Sequence, residues 1–160
     1  MNKFLTLTEA QRRTVFEQTA ANIKLPVASI EKDFWVTEIL NILFSLTYAD
    51  KMVFKGGTSL SKVWGVIRRF SEDIDIAIDR SMFEIEGDVT KKQLKKLRKV
   101  SSVFVRDTLA NDLTLAVEQA GLSEFVMIKA APDGEGDATY PEPRQIHIIY
   151  KSVLPSETNP

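Results

Sequence analysis

The chain has 160 residues, enough for one domain with a proper core, and its 44% hydrophobic and 27% charged content is that of a soluble globular protein. A net charge of −1 and a pI near 5.9 exclude overall basicity as a nucleic-acid signal, so any such surface has to be local. The absence of cysteine excludes disulfides and thiolate metal sites. No apolar run approaches the about 18 residues of a membrane span, and MNKFLTLTEAQRR lacks a signal-peptide core, so a cytoplasmic protein is expected.

Thr8-Glu9-Ala10-Gln11 has the form of a capping box and predicts a helix to about Ile23, broken at Leu25-Pro26. A second helix, over about 27–46, turns Ile30, Phe34, Trp35, Ile39, Ile42, Leu43 and Leu46 to a core. Trp35 reads as a core anchor. Glu31, Lys32 and Asp33 read as a solvated first turn, the acids being favoured there by the helix dipole, with Glu31, Asp33, Glu38 and Asn41 on the outer face.

The stretch from Met52 to Asp79 holds the chemistry. Met52-Val53-Phe54 is an apolar strand halted by Gly56-Gly57, which permit positive φ and close approach of a ligand. Thr58 or Ser59 can then cap a short helix through Leu60, Lys62, Val63 and Val66, whose unpaired N–H groups suit phosphate oxygens. Lys62, about one turn further in, can reach the same anion. From Asp73 to Asp79 the pattern alternates: Ile74, Ile76 and Ile78 on one side, Asp73, Asp75, Ala77 and Asp79 on the other. Asp73 and Asp75 thus share a face roughly 6.6 Å apart, and two such carboxylates repel unless a cation lies between them. Mg²⁺ suits a pair of carboxylates plus substrate phosphates. Asp79 lies roughly 13 Å from Asp75 and reads as the strand's end. Arg69 is a candidate to hold a triphosphate or neutralise the acids, and Ser71 to brace the loop; a plain surface loop is the alternative for Arg68 and Arg69. Glu72 alternates away from the acidic face.

Gly56-Gly57-Thr58-Ser59 followed by Asp73-Ile74-Asp75 resembles the signature of the polymerase-β-type nucleotidyltransferases. The fuller string FKGGTSLSKVWGVIRRFSEDIDIAI, with EKDFWVTEIL at Glu31–Leu40, resembles the AbiEii-type branch, the nucleotidyltransferase toxins of type IV toxin–antitoxin systems; a weaker likeness extends to Tyr150.

Beyond this stretch a long helix is expected over about 90–120, ended by Gly121, with Leu94, Leu97, Ser101, Phe104, Val105, Leu109, Leu113, Ala116 and Val117 as its buried stripe. Its first half carries Lys91, Lys92, Lys95, Lys96, Arg98 and Lys99 with no acid between 91 and 99. That run is either a solvated face or a contact for RNA phosphates. Strands follow at 124–130 and 145–150, hairpinned around an exposed loop whose acids Asp133, Glu135, Asp137 and Glu142 lack EF-hand spacing. His147 is the only histidine and has no companion for a zinc site. SVLPSETNP reads as a loop-like tail.

The resemblance implies a minimal nucleotidyltransferase fold, α/β, with a small mixed sheet of strands near 52–55, 73–79, 124–130 and 145–150 packed with helices. It implies a metal-dependent transfer of an NMP from an NTP to a hydroxyl acceptor, RNA or tRNA, by the toxin of a bacterial toxin–antitoxin or phage-defence system. Asp73 and Asp75 would be the catalytic metal ligands for Mg²⁺ or Mn²⁺; Gly56, Gly57, Thr58, Ser59, Lys62 and Arg69 would hold the nucleotide. A cognate antitoxin protein is an expected partner. The family pattern also calls for a third carboxylate on a neighbouring strand and a helical C-terminal domain. Neither later strand carries a central acid, so residues 1–160 are expected to be the nucleotidyltransferase core, an excised piece or truncated gene product. The alternatives are a non-catalytic nucleotide-binding module and an antitoxin-binding one. A P-loop NTPase is disfavoured because Ser61 and Val63 flank Lys62 where that motif needs Gly and Ser/Thr.

Overall fold

In the computed structural model, residues 2–65, 73–132 and 144–155 are described. Helix α1 (Glu9–Ile23) opens on the expected capping box: the Gln11 N–H donates to Thr8 Oγ1 at 3.3 Å and the Thr8 N–H to Gln11 Oε1 at 3.0 Å. It ends on Lys24 in the left-handed region, φ 57°, just before Leu25-Pro26. Helix α2 (Val27–Leu43) then buries Trp35, Ile39, Ile42 and Leu43, with Phe34 and Leu46 packed partly against them.

Strand β1 (Met52–Lys55) leads straight into the short helix α3 (Gly56–Lys62), and β2 (Asp75–Ile78) pairs antiparallel with β1. Helix α4 (Lys91–Val103) starts on a second capping box, Thr90 with Gln93. It continues through a π-helical turn (Phe104–Leu109) into α5 (Ala110–Gln119). The end of α5 is a Schellman motif: Gly121 takes φ 70°, its N–H donates to Glu118 O, and the Leu122 N–H donates to Val117 O. Strands β3 (Val126–Ala130) and β4 (Ile146–Tyr150) form a second antiparallel ladder, Val126 opposite Tyr150 and Ala130 opposite Ile146.

The architecture is a mixed α/β fold with small β-structure packed against helices. Among the described residues the strands pair as two separate two-stranded ladders, both antiparallel, and not as one four-stranded sheet. The ladders share one core: Met52 of β1 and Val126 of β3 are buried with Trp35, Ile39, Val105, Leu109, Leu113 and Val117. Ile76 and Ile78 from one ladder, with Ile74 just before it, and Ile128, Ile146 and Ile148 from the other, pack against it.

Three expectations need correction. Glu31 is not solvated but 1% exposed; its carboxylate accepts from Ser152 Oγ at 2.5 Å and from the Val153 N–H at 2.8 Å. Residues 152–154 are accordingly no loose tail, since Val153 and Leu154 are buried and Arg13 Nε donates to Val153 O at 2.7 Å. The stripe expected along the long helix is buried only in its second half. Leu94 is 42% exposed, and the π turn inserts a residue that re-phases the helix faces at Phe104–Leu109.

Candidate functional site

The β1–β2 ladder fixes the geometry of the glycine turn. Lys55 stands opposite Asp75, so Gly56, the next residue along, lies beneath the Asp75 side chain. Gly56 has φ 76°, and a Cβ built there would collide with Asp75 Oδ2 and lie 2.9 Å from its Cγ. The positive φ favours glycine, and any side chain here would also have to push the Asp75 carboxylate aside. The turn and the carboxylate are one unit.

Asp73 is tied to the same unit from the other side. Thr58, 2% exposed in the first turn of α3, donates its hydroxyl to the Asp73 carbonyl at 2.5 Å. That bond anchors the lead-in to β2 and consumes the hydroxyl expected to cap the helix. The helix instead begins at Gly56, with Lys55 in the cap position and no side-chain cap. Ser59 is also buried, at 5% exposure. The alternation read from the sequence is present: Asp73, Asp75, Ala77 and Asp79 are exposed, while Ile74, Ile76 and Ile78 turn inward. Asp79 ends the strand by capping a 3-10 turn (Arg80–Phe83), and the hydrogen bond from the Ser81 N–H holds its carboxyl below the usual range.

Lys62 is placed differently from a free phosphate ligand. Its ammonium lies 2.6 Å from Asp33 Oδ1 and donates to Thr37 Oγ1 at 2.8 Å and to the Asp33 carbonyl at 3.3 Å. Asp33 and Thr37, four apart on α2, therefore grip α3. Sequence reasoning missed both Asp33 and Glu31 as structural ties; the signal available was their place in the EKDFWVT segment. Arg69, Arg68, Ser71 and Glu72 lie outside the described residues, as do the acids of the loop between β3 and β4. His147 is exposed opposite Lys129. Among the described residues no group of three or more His, Cys, Asp or Glu side chains could hold a metal ion. No helix of the described residues is long and apolar enough to cross a membrane.

In this mixed α/β fold Asp75, at the start of β2, packs on the di-glycine turn and Asp73 leads into the strand, the arrangement expected of a nucleotidyltransferase. Residues 39–142, more than half of the chain, match the family described as nucleotidyl transferase AbiEii toxin, type IV TA system. The chain belongs to that family. No curated protein and no solved structure matches significantly.

Proposed function

We propose that the chain is the core of a metal-dependent nucleotidyltransferase that moves an NMP from an NTP to a hydroxyl acceptor on RNA, tRNA in particular, as the toxin of a toxin–antitoxin pair. The observation that carries this is the seating of Asp75 on Gly56, with Asp73 fixed by Thr58. Two exposed carboxylates beside a turn without side chains is a donor set that fits Mg²⁺ or Mn²⁺ together with phosphate oxygens. When bound, such a metal would neutralise the triphosphate and lower the pKa of the attacking hydroxyl.

The chain's own residues do the rest. Gly56 and Gly57 let the nucleotide approach the backbone, and the first-turn N–H groups of α3 face it without a competing side-chain cap. Thr58 keeps Asp73 in place. Lys62, paired with Asp33, sets the position of α3, and is the candidate cation for the nucleotide if that pair opens. Arg69 is the further candidate for the triphosphate. Positioning and charge neutralisation carry most of such a transfer. The exposed lysines of α4 are the candidate surface for the RNA backbone. The molecule's place in the cytoplasm and its pairing with a cognate antitoxin follow from the same reading.

A second reading rests on a specific observation, the pair of carboxylates without a third among the described residues. It makes residues 1–160 a nucleotide-binding or antitoxin-binding module that does not turn over. Transfer of label from α-labelled NTPs to tRNA in the presence of Mg²⁺ separates the two. Transfer that falls at least about a hundredfold in Asp75→Asn supports the enzyme. Mg²⁺-dependent binding without any transfer supports the module.

A further inference from the structure

A cleft at one end of the β3–β4 ladder contains a buried guanidinium that makes no close ion pair among the described residues, although Glu9 and Glu124 also line the cleft. Arg12, on α1, is 6% exposed, and its Nε is buried with no hydrogen-bond partner among the described residues. Its guanidinium carbon stands 4.9 Å from the centroid of the Phe125 ring. Phe125 is itself fixed: its ring lies 6.4 Å from that of Trp35, and its carbonyl accepts from the Lys151 N–H at 2.8 Å. Glu9, Arg12, Glu124, Phe125 and Lys151 line a cavity of about 400 Å³ here.

Neither Arg12 nor Lys151 has an ion pair within 4.0 Å among the described residues. The adjacent Arg13, by contrast, is satisfied by the Val153 carbonyl. A guanidinium taken out of water requires oxygen acceptors, and an aromatic face replaces only part of what it loses. Its planar fork matches a carboxylate. Glu9 and Glu124 bring the formal charge of the lining to zero, so a phosphate dianion meets two like charges that a single carboxylate tolerates better.

We propose that this cleft is a binding site for one carboxylate group, with Arg12 as the fork, Lys151 as the second cation, and Glu9 and Glu124 discriminating against phosphate. It uses none of residues 52–79, so it stands or falls independently of the nucleotidyltransferase reading. The carboxylate can come from a free small molecule or from an acidic side chain of a peptide.

The test is an NMR titration of the full chain with sodium acetate, inorganic phosphate and a capped glutamate-containing tripeptide, against sodium chloride at equal ionic strength. The buried Arg12 Nε–H and the Phe125 amide report occupancy. A saturable shift with acetate, with a dissociation constant on the order of millimolar, is expected for so small a ligand. Phosphate should bind at least about tenfold more weakly, and Lys151→Gln, at an exposed position that leaves the fold intact, should weaken acetate at least about threefold. Tighter binding of the tripeptide than of acetate identifies a protein segment as the source, and the reverse a free carboxylate; either supports the site. Shifts no different from chloride, phosphate binding as tight as acetate, or unchanged acetate binding in Lys151→Gln would overturn it.

Discussion

Gly56 and Glu31 are the two residues on which single atoms decide most. Any side chain at Gly56 must both adopt φ 76° and displace the Asp75 carboxylate. Gly56→Ala is therefore expected to destabilise the chain by about 1–2 kcal/mol in urea unfolding. It should also shift the Asp75 amide resonance, since the carboxylate has to move. Glu31→Ala strips acceptors from Ser152 Oγ and the buried Val153 N–H, a loss of about 3 kcal/mol, whereas Glu31→Gln keeps one acceptor and should lose less. The acidic face of Asp73 and Asp75 was legible because a period of two needs only local residues. The burial of Glu31 was not, because its partners come from the other end of the chain. The grip of Asp33 on Lys62 was hidden for the same reason.

At the scale of elements, the Thr8–Gln11 capping box and the glycine stop after α5 were readable, since each depends on residues within one turn, while the second box at Thr90–Gln93 was not read. The π turn was not readable, because a 3.6-residue stripe drawn from Leu94 to Val117 assumes a uniform helix. Nor was the division of the strands into two ladders, since strand pairing joins residues far apart in the sequence. Lys91, Lys92, Lys95, Lys96 and Lys99 project from α4 as an exposed face. Replacing Lys92, Lys95, Lys96 and Lys99 by Gln should change unfolding free energy by no more than about 0.5 kcal/mol. If α4 meets RNA, the same variant binds tRNA with a shallower salt slope, by about 0.7–0.9 for each phosphate it no longer neutralises. An unchanged slope returns the lysines to a solvated face.

The loop before β1 is tied to α5 by the Tyr48 hydroxyl, which donates to Asp112 Oδ2 at 2.7 Å, and to the π turn by the Tyr48 and Phe104 rings, which meet at 5.4 Å. Burial, then the bond to Asp112 and its charge, push the Tyr48 pKa above the usual tyrosine value. With the folded pKa raised, this contribution is fully present below a pH of about 10 and is lost as pH rises beyond it. The Tm difference between the parent and Tyr48→Phe should hence be constant at neutral pH and shrink in alkali. A difference independent of pH up to strongly alkaline conditions would contradict the bond.

Across the whole molecule, α2 is the element that ties the other parts together. Its apolar side anchors the core, Asp33 and Thr37 hold α3 through Lys62, and Glu31 holds the 152–154 segment. Residues 27–38 precede the family match, yet they fix the parts of the candidate site that fall within it. The Asp73–Asp75 pair, by contrast, is not buried in the core: both residues are exposed and share one face. Asp73→Asn and Asp75→Asn are thus expected to leave metal-free stability unchanged or slightly raised. Titration calorimetry with Mg²⁺ and each NTP on the parent and these two variants tests the central claim most directly. Expected is saturable, Mg²⁺-dependent NTP binding by the parent, weakened in each variant at least about tenfold, or about 1.4 kcal/mol. Equal binding by all three proteins would contradict the assignment of this pair as the metal and nucleotide site.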